Sequence, residues 1–333
     1  MRRRIDCSGV GQVGGRARRG RRNAGAKSDT LPAGVDLGTA AGQGLRLLRR
    51  ILPTQIIERI RTMDPMLNIA VRAARAAGDI IVRAMDRVDL LNITLKSRND
   101  FVSDIDRQAE HEIVSILLKA YPHHAVHGEE HGEQGAAGSE YVWVIDPLDG
   151  TTNFLHGFPH FSVSIALFHR GKVERGVVYD PIKQELFTAV RGAGSMLNNR
   201  RIRVTKQKGL HGALLGTGIP FKDQSYIDPY LAMLKSLLKD AAGIRRAGSA
   251  ALDLAYVAAG RFDGFWEIGL QSWDMAAGVL LVQEAGGLVS DLEGGDRFFE
   301  TGSIVTANPK LHQPMLELIQ PHLTDQLRYR PGA

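Results

Sequence analysis

Asp146 and Asp149 stand three positions apart in the string Trp143-Val144-Ile145-Asp146-Pro147-Leu148-Asp149-Gly150-Thr151-Thr152-Asn153-Phe154. Clustered carboxylate oxygens are what a hard divalent cation such as Mg²⁺ takes as ligands. Pro147 fixes its own φ and lacks an N–H, so the turn between the acids is stiff and the Leu148 carbonyl is left free as a further oxygen ligand. Gly150, Thr151 and Thr152 follow with N–H groups and hydroxyls, which suit a phosphate if a helix begins there. Asp-Pro and Asp-Gly are also common turn dipeptides, and two acids alone read as turn chemistry. The whole string could bring metal and phosphate into one loop.

Elements must deliver these groups, and the surrounding pattern supplies strand ends and helix starts. Tyr141 to Ile145 is a short apolar run of the kind that makes a buried strand, ending where the carboxylates begin. Gly264-Phe265-Trp266-Glu267 reads as a second strand that ends in an acid, and Trp273-Asp274-Met275-Ala276-Ala277-Gly278 starts a helix with Asp274 near its N-terminus. Asp104 and Asp106 precede a helix that carries Ile113, Ile116, Leu117 and Ala120 inward, and simple N-capping is one role open to Asp106. Gly248-Ser249-Ala250-Ala251-Leu252-Asp253-Leu254-Ala255 opens a helix of small apolar residues that should be buried. His127-Gly128-Glu129-Glu130-His131 has two histidines at a zinc-like spacing, but Gly128 and Gly132 argue for a loop and the acid lies one position early for a zinc-peptidase helix. His127 stands where an apolar residue is expected.

The rest of the chain reads as scaffold. Apolar positions 66, 69, 70, 73, 74, 77, 80, 81 and 84 make a helical stripe behind Asp64 as N-cap and Pro65. Ser162 to Phe168, Val173 to Tyr179 and Glu185 to Val190 read as an antiparallel meander, and Gly192 to Arg203 as a loop-rich link. Leu214 to Gly216, Leu288 to Ser290 and Ile304 to Ala307 read as strands. Tyr226 to Lys239 and about 309 to 319 read as helices, and residues after Leu323 as a frayed tail.

An apolar fraction of 44% over 333 residues supports a substantial core, and no apolar run approaches the roughly 18 residues of a membrane helix. Cys7 is the only cysteine, so an intrachain disulfide and a cysteine zinc site are excluded. The net charge of +6 divides unevenly: of 42 Lys/Arg and 36 Asp/Glu, residues 1–62 hold 14 and 4, which leaves 28 and 32 in the body, a net of −4. The mildly acidic body gives no argument for nucleic-acid binding. Residues 1–62 are expected to be a disordered Arg/Gly-rich extension, with translation from Met63 or Met66 as the preferred account and a transit peptide or nucleic-acid tail as alternatives. Gly9-Val10-Gly11-Gln12-Val13-Gly14 matches a dinucleotide fingerprint by letter, with no strand before it and no helix after it. The expected organisation is a catalytic domain over 63–323, in halves 63–205 and 206–323, followed by a tail at 324–333.

The string at 143–154, together with Trp273-Asp274-x-x-Ala277-Gly278, resembles the signatures of the inositol monophosphatase family, within the wider group of Mg²⁺-dependent, lithium-sensitive phosphatases. Gly128-Glu129-Glu130, Gly248-Ser249-Ala250 and Glu267 agree with it, and the resemblance runs from about Met66 to Leu323. Thr217-Gly218-Ile219-Pro220-Phe221 with Ala250 to Gly260 looks most like the bacterial SuhB-type members. The resemblance implies an α+β fold, a layered αβαβα sandwich. By matched position it implies one Mg²⁺ held by Glu129, Asp146 and the Leu148 carbonyl, a second held by Asp146, Asp149 and Asp274, and a third, weaker ion sharing Glu129. Thr151, hydrogen-bonded to Asp106, would position and help deprotonate the attacking water, with Glu129 in the same catalytic set. Backbone N–H groups of Gly150 and Thr151 would hold the phosphate, and Asp149, Ser249, Ala250 and Glu267 the hydroxyls of the alcohol.

These implications describe a cytoplasmic, homodimeric, lithium-sensitive enzyme that hydrolyses inositol monophosphate. The metal string reads the phosphate and not the alcohol, so fructose 1,6-bisphosphate and 3′-phosphoadenosine 5′-phosphate stay open as substrates. A rival of another class comes from the SuhB-type members, which are associated with transcription antitermination. RNA polymerase or its factors would then be partners, with Arg200, Arg201, Arg245 and Arg246 as contacts on charge alone.

Overall fold

The computed structural model describes residues 64–85, 93–97, 100–221 and 223–328. The arm of residues 1–62, with its fingerprint-like glycines and everything expected of it, lies outside the described residues. Asp64 caps helix α1 (Pro65–Ala84) as expected: its carboxylate accepts from the Leu67 N–H at 3.0 Å, and Pro65 takes the position where no N–H is needed. The buried stripe is mostly alanine (Ala70, Ala73, Ala74, Ala77, Ala84), so α1 lies close against α2 (Asp104–Ala120). A hairpin of β1 (Ile93–Ser97) and β2 (Asp100–Ser103) leads into α2. The cap of α2 is Ser103, so Asp104 and Asp106 lie inside the first turn and do not precede the helix. Asp106 is drawn in because its carboxylate accepts the Ser103 N–H at 2.8 Å, completing a capping box at the positive end of the helix dipole.

The larger sheet has eight strands in the order β10-β9-β8-β7-β6-β5-β3-β4. They are β3 (Ala125–Gly128), β4 (Gly132–Gly135), β5 (Tyr141–Asp149), β6 (Ser162–His169), β7 (Lys172–Asp180), β8 (Glu185–Val190), β9 (Gly194–Leu197) and β10 (Arg200–Arg201), with the short helix α3 (Thr151–Leu155) after β5. The expected meander is β6, β7 and β8; β5 extends it antiparallel to β6, and β3 joins the edge parallel to β5. Two segments read as loops are strands. The stretch around Gly128 and Gly132 is a hairpin whose strands end and begin at those glycines, which places His127 on β3. Residues 192–203 hold the antiparallel pair β9 and β10, short edge strands whose period is too brief to register in sequence.

The smaller sheet runs β12-β11-β13-β15-β14, from β11 (Leu214–Thr217), β12 (Gly243–Arg245), β13 (Gly264–Ile268), β14 (Leu288–Ser290) and β15 (Ser303–Ala307). Helices α4 (Ile227–Leu237), α5 (Ala250–Ala258), α6 (Ser272–Glu284), α7 (Phe298–Thr301), α8 (His312–Ile319) and α9 (Asp325–Arg328) complete this half. α1 and α2 cover the outer face of the larger sheet around Trp143, Ile145 and Val177. α5 and α6 fill the space between the sheets, and α4 and α8 close the far face of the smaller one around Leu215, Trp266 and Val305. The layers are therefore αβαβα. α6 is buried without interruption from Met275 to Val282, as a helix must be when a sheet lies on either side. The tail is a correction to the frayed end expected after Leu323: α9 follows, and Leu327 is buried in the outer core because an apolar side chain there finds Leu311 and Ile319 in the same cluster.

Candidate metal and phosphate site

β5 runs on through the acids to Asp149, beyond the end expected at Ile145. Opposite β6, Asp146 pairs with Ser164 and Asp149 with Ser162, so three steps on β5 meet two on β6. This is a bulge, and Pro147 and Leu148 make it: proline has no N–H for the ladder, and the Leu148 N–H turns back to Asp146 Oδ1 at 2.9 Å. Gly150 follows at φ 102° and ψ 35°, a left-handed conformation that lets the chain enter α3 at once.

The third acid arrives from the far half of the chain. Asp274 lies in the first turn of α6, where it accepts the Gln271 N–H at 2.7 Å, and Ser164 Oγ donates to the Trp273 carbonyl at 3.0 Å, tying that helix start to β6. One oxygen from each of Asp146, Asp149 and Asp274 lies within 4.8 Å of the others. Glu129 lines the same cavity but stands outside that trio; its N–H donates to the Ile145 carbonyl at 3.2 Å. Asp149 Oδ2 accepts from Ser249 Oγ at 2.6 Å and from the Ala251 N–H at 2.8 Å, which fastens the start of α5 to β5. The Asn153 amide bridges the same junction, donating to the carbonyls of His160 and Ala247 at 2.7 and 2.9 Å.

Burial first, then the nearby charges of Glu129, Asp149 and Asp274, raise the Asp146 carboxyl well above the usual carboxylate range. Burial also raises Asp149 to about 6, although its bonds from Ser249 and Ala251 pull the other way. Like charges crowded this closely in a largely buried site stay ionised together only when a cation neutralises them. The donor set fits one: three carboxylates and the Leu148 carbonyl are hard oxygens of the kind Mg²⁺ takes.

Thr151 begins α3 and reaches across to α2. Its Oγ1 lies 2.9 Å from Asp106 Oδ1 and 3.1 Å from the Leu148 carbonyl, and its single proton serves one of them at a time. Asp106 thus both completes the capping box behind Ser103, the N-cap itself, and meets Thr151. Burial raises the Asp106 carboxyl as well, opposed by hydrogen bonds from Ser103 and Thr151.

A cavity of about 550 Å³ opens from the acids. Gly150, Thr151, Ser249, Ala250 and Glu267, all expected in the site, line it together with Arg246, Phe221 and Asp253. The two histidines of the zinc-like spacing engage different partners: the His127 ring packs on Trp273 at 5.2 Å, which accounts for a histidine where an apolar residue was expected, and His131 Nδ1 lies 2.7 Å from Glu110 Oε1.

Glu110 is a residue that sequence reasoning passed over. It is fully buried on α2, and its carboxylate accepts the Glu130 and His131 N–H groups at 2.8 and 2.9 Å, clasping the loop that carries Glu129. The signal was an acid one turn before Ile113 on the inward stripe of a helix, where a charge belongs only if something pairs it. Removing such a support typically weakens metal affinity by about 10–100-fold. Glu110→Gln is expected to reduce Mg²⁺ affinity about tenfold, read by magnesium titration of a variant whose circular dichroism is unchanged.

A layered α+β chain with acids from strand ends and helix starts gathered over one cavity is a phosphatase-superfamily architecture. Residues 62–324 match the model of the inositol monophosphatase family, and the chain belongs to that family. The Nus factor SuhB of Pseudomonas aeruginosa is 58% identical over 270 residues, spanning 80% of this chain and all of that protein. Among solved structures, the extragenic suppressor protein suhB of Bartonella henselae is 45% identical with a TM-score of 0.74, covering 79% of this chain and 100% of its own. The inositol monophosphatase of Anabaena (Nostoc) sp. PCC 7120 is 36% identical with a TM-score of 0.69, covering 78% and 96%. Family membership implies phosphatase chemistry.

Proposed function

We propose that this chain hydrolyses inositol monophosphate to inositol and phosphate, with Mg²⁺ as cofactor. The observation that carries the reading is the convergence of Asp146, Asp149 and Asp274 in a cavity that Gly150, Thr151, Ser249 and Glu267 also line. Asp146, Asp149, Asp274, Glu129 and the Leu148 carbonyl would hold two or three metal ions. Bound there, Mg²⁺ neutralises the acids, activates water and steadies the charge that develops on the phosphate.

The protein's own groups do the positioning. Asp106, when ionised, accepts the Thr151 proton and turns the Thr151 oxygen toward the attacking water, which it orients and helps to deprotonate. The N–H groups of Gly150 and Thr151, at the start of α3, hold the phosphate oxygens. Ser249 and Ala251 fix Asp149 against rotation, so it serves metal and substrate from one geometry. Asp149, Ser249, Ala250 and Glu267 receive the hydroxyls of the alcohol.

Purified protein is expected to release phosphate from inositol 1-phosphate only with Mg²⁺ present, and Li⁺ to inhibit. A folded protein that binds Mg²⁺ yet releases no phosphate would remove this reading. The catalytic unit is proposed as residues 63–323 in a cytoplasmic homodimer; among the described residues no helix is long and apolar enough to cross a membrane.

A second role is favoured by one observation, that a relative 58% identical along its whole length bears the name Nus factor. On that reading the chain also binds RNA polymerase or an antitermination factor. Capture of polymerase by both the wild type and Asp146→Asn would separate this role from catalysis, and capture by neither would exclude it.

A further inference from the structure

His124 is a buried titratable ring that the chemistry so far does not use. It stands one residue before β3, whose four pairs with β5 run from Ala125 opposite Val142 to Gly128 opposite Ile145. Trp143, on β5 and fully buried, donates its indole N–H to His124 Nδ1 at 3.1 Å. An indole nitrogen is a donor only, so Nδ1 carries no proton and the ring is neutral in this bond. Four rings stack in a row here: Tyr121, His124, Tyr141 and His169, with successive centroids 4.7, 4.7 and 4.2 Å apart. The row ties the end of α2 to the start of β3, to β5 and to β6.

The strands fixed in this way lead to the acid cluster. β3 and β5 run parallel, and one step past their last pair stand Glu129 on one strand and Asp146 on the other. There the Glu129 N–H donates to the Ile145 carbonyl at 3.2 Å. Four pairs make a short ladder, and a slip or splay between the two strands moves Glu129 against Asp146. Protonating His124 turns an N–H toward the indole N–H and strands a buried donor. Burial first, then the neighbouring His123, holds the imidazole below its usual range, while the faces of Tyr121 and Tyr141 attract a cation in opposition. The other charges lie beyond the tyrosines: Asp64 and Arg175 past Tyr121, and His169 with the Glu140–Arg170 pair past Tyr141.

We infer that His124 is a positioning residue for the cation site: as a neutral acceptor for Trp143 it fixes β3 on β5, and with them Glu129 relative to Asp146, so that protonating it weakens Mg²⁺ binding. This rests on the proposed Mg²⁺ reading of the acid cluster. The folded imidazole titrates below the usual 6.5, so the bond is complete at neutral pH and is lost as pH falls through the folded value. The mark of the role is an acid limb in metal affinity that disappears when a non-titrating acceptor replaces the imidazole.

The test compares wild type with His124→Phe, which keeps a ring without the acceptor, and with His124→Gln, which keeps an acceptor that does not titrate. Mg²⁺ affinity is read by calorimetry, and the Trp143 indole N–H resonance, assigned by its loss in Trp143→Phe, is followed in metal-free protein from about pH 8 to about pH 4.5. Near neutral pH, His124→Phe is expected to bind Mg²⁺ about tenfold more weakly than wild type, and His124→Gln to stay within about twofold. Toward about pH 5 the wild type is expected to weaken about fivefold further than His124→Gln, which shares every other titration. The indole resonance should titrate in acid in the wild type and stay level in His124→Gln. A His124→Phe variant that melts lower yet binds Mg²⁺ as tightly as wild type, parallel pH profiles in wild type and His124→Gln, or a level indole resonance in wild type would overturn the inference. Should His124→Phe not fold, the last two comparisons decide it. Should the wild type bind no Mg²⁺, the metal reading fails separately, and hydrogen exchange of the Glu129 amide decides: faster exchange in His124→Phe than in wild type and His124→Gln upholds the positioning role, and equal exchange in all three refutes it.

Discussion

Asp146→Asn is expected to lose phosphate release by about 10³-fold or more, roughly 4 kcal/mol of transition-state stabilisation, in a chain that still folds. The reason lies in its position. Asp146 is 2% exposed, is presented by the bulge in β5, and shares a 4.8 Å cluster with Asp149 and Asp274, and on the proposed reading it serves two cations at once. An amide of the same shape keeps an oxygen but loses the charge, and both cations would be held less tightly. The fold should not suffer, because the Leu148 N–H can still bond the amide oxygen, and the repulsion from Glu129, Asp149 and Asp274 is relieved. Phosphate release and magnesium titration on the same preparation check this. Wild-type turnover with unchanged magnesium dependence would show that Asp146 is not a shared ligand.

Stripping divalent cations is expected to make the chain less stable as pH rises from about 4 to about 6, the reverse of ordinary acid unfolding. Asp149 has a folded pKa of about 6 against 3.8 for the free side chain, mainly through burial. Between those values the folded chain holds a proton that the unfolded chain has released, so stability is fully present below about pH 4 and is lost as pH rises through 6. A shift of about two units corresponds to on the order of 3 kcal/mol, several degrees in melting temperature. Mg²⁺ binds only the deprotonated ligands, so it should restore stability increasingly over the same window. The clean readout is the melting temperature with Mg²⁺ minus that with chelator, measured from pH 4 to 8. Glu185, lowered by its hydrogen bond from Arg261, acts in the opposite sense but equally in both samples, and cancels. A difference that does not grow with pH would mean that Asp149 is not the group a cation neutralises.

Local grammar was legible wherever neighbours along the chain decide the outcome. Asp64 and Pro65 start α1 because capping and a fixed φ act over one turn. The runs Ser162 to Phe168 and Val173 to Tyr179 become β6 and β7, buried along most of their length because layers cover both faces of the sheet. Signals failed where a tertiary partner overrides local preference. The run from Tyr141 continues as strand through Pro147 because β6 holds Asp146 and Asp149 on both sides of the bulge. The 127–132 segment reads as loop from its glycines, yet pairing with β5 makes Ala125–Gly128 a strand.

By itself the sequence determined the family, most of the longer helices and strands, and the residue types able to hold a cation and a phosphate, because these depend on short spacings and on the chemistry of single side chains. Only the tertiary structure decided which of those residues meet. Asp149 and Ser249 are 100 positions apart and Thr151 and Asp106 are 45 apart, yet hydrogen bonds of 2.6 and 2.9 Å join them. It alone revealed that Glu110 clasps the Glu129 loop and that Asp253 Oδ1 is buried without a hydrogen-bond partner. The physical reason is common to all of these. Burial, charge repulsion and hydrogen-bond satisfaction are properties of a place in space, and packed layers bring to one place residues whose separation along the chain carries no trace of it.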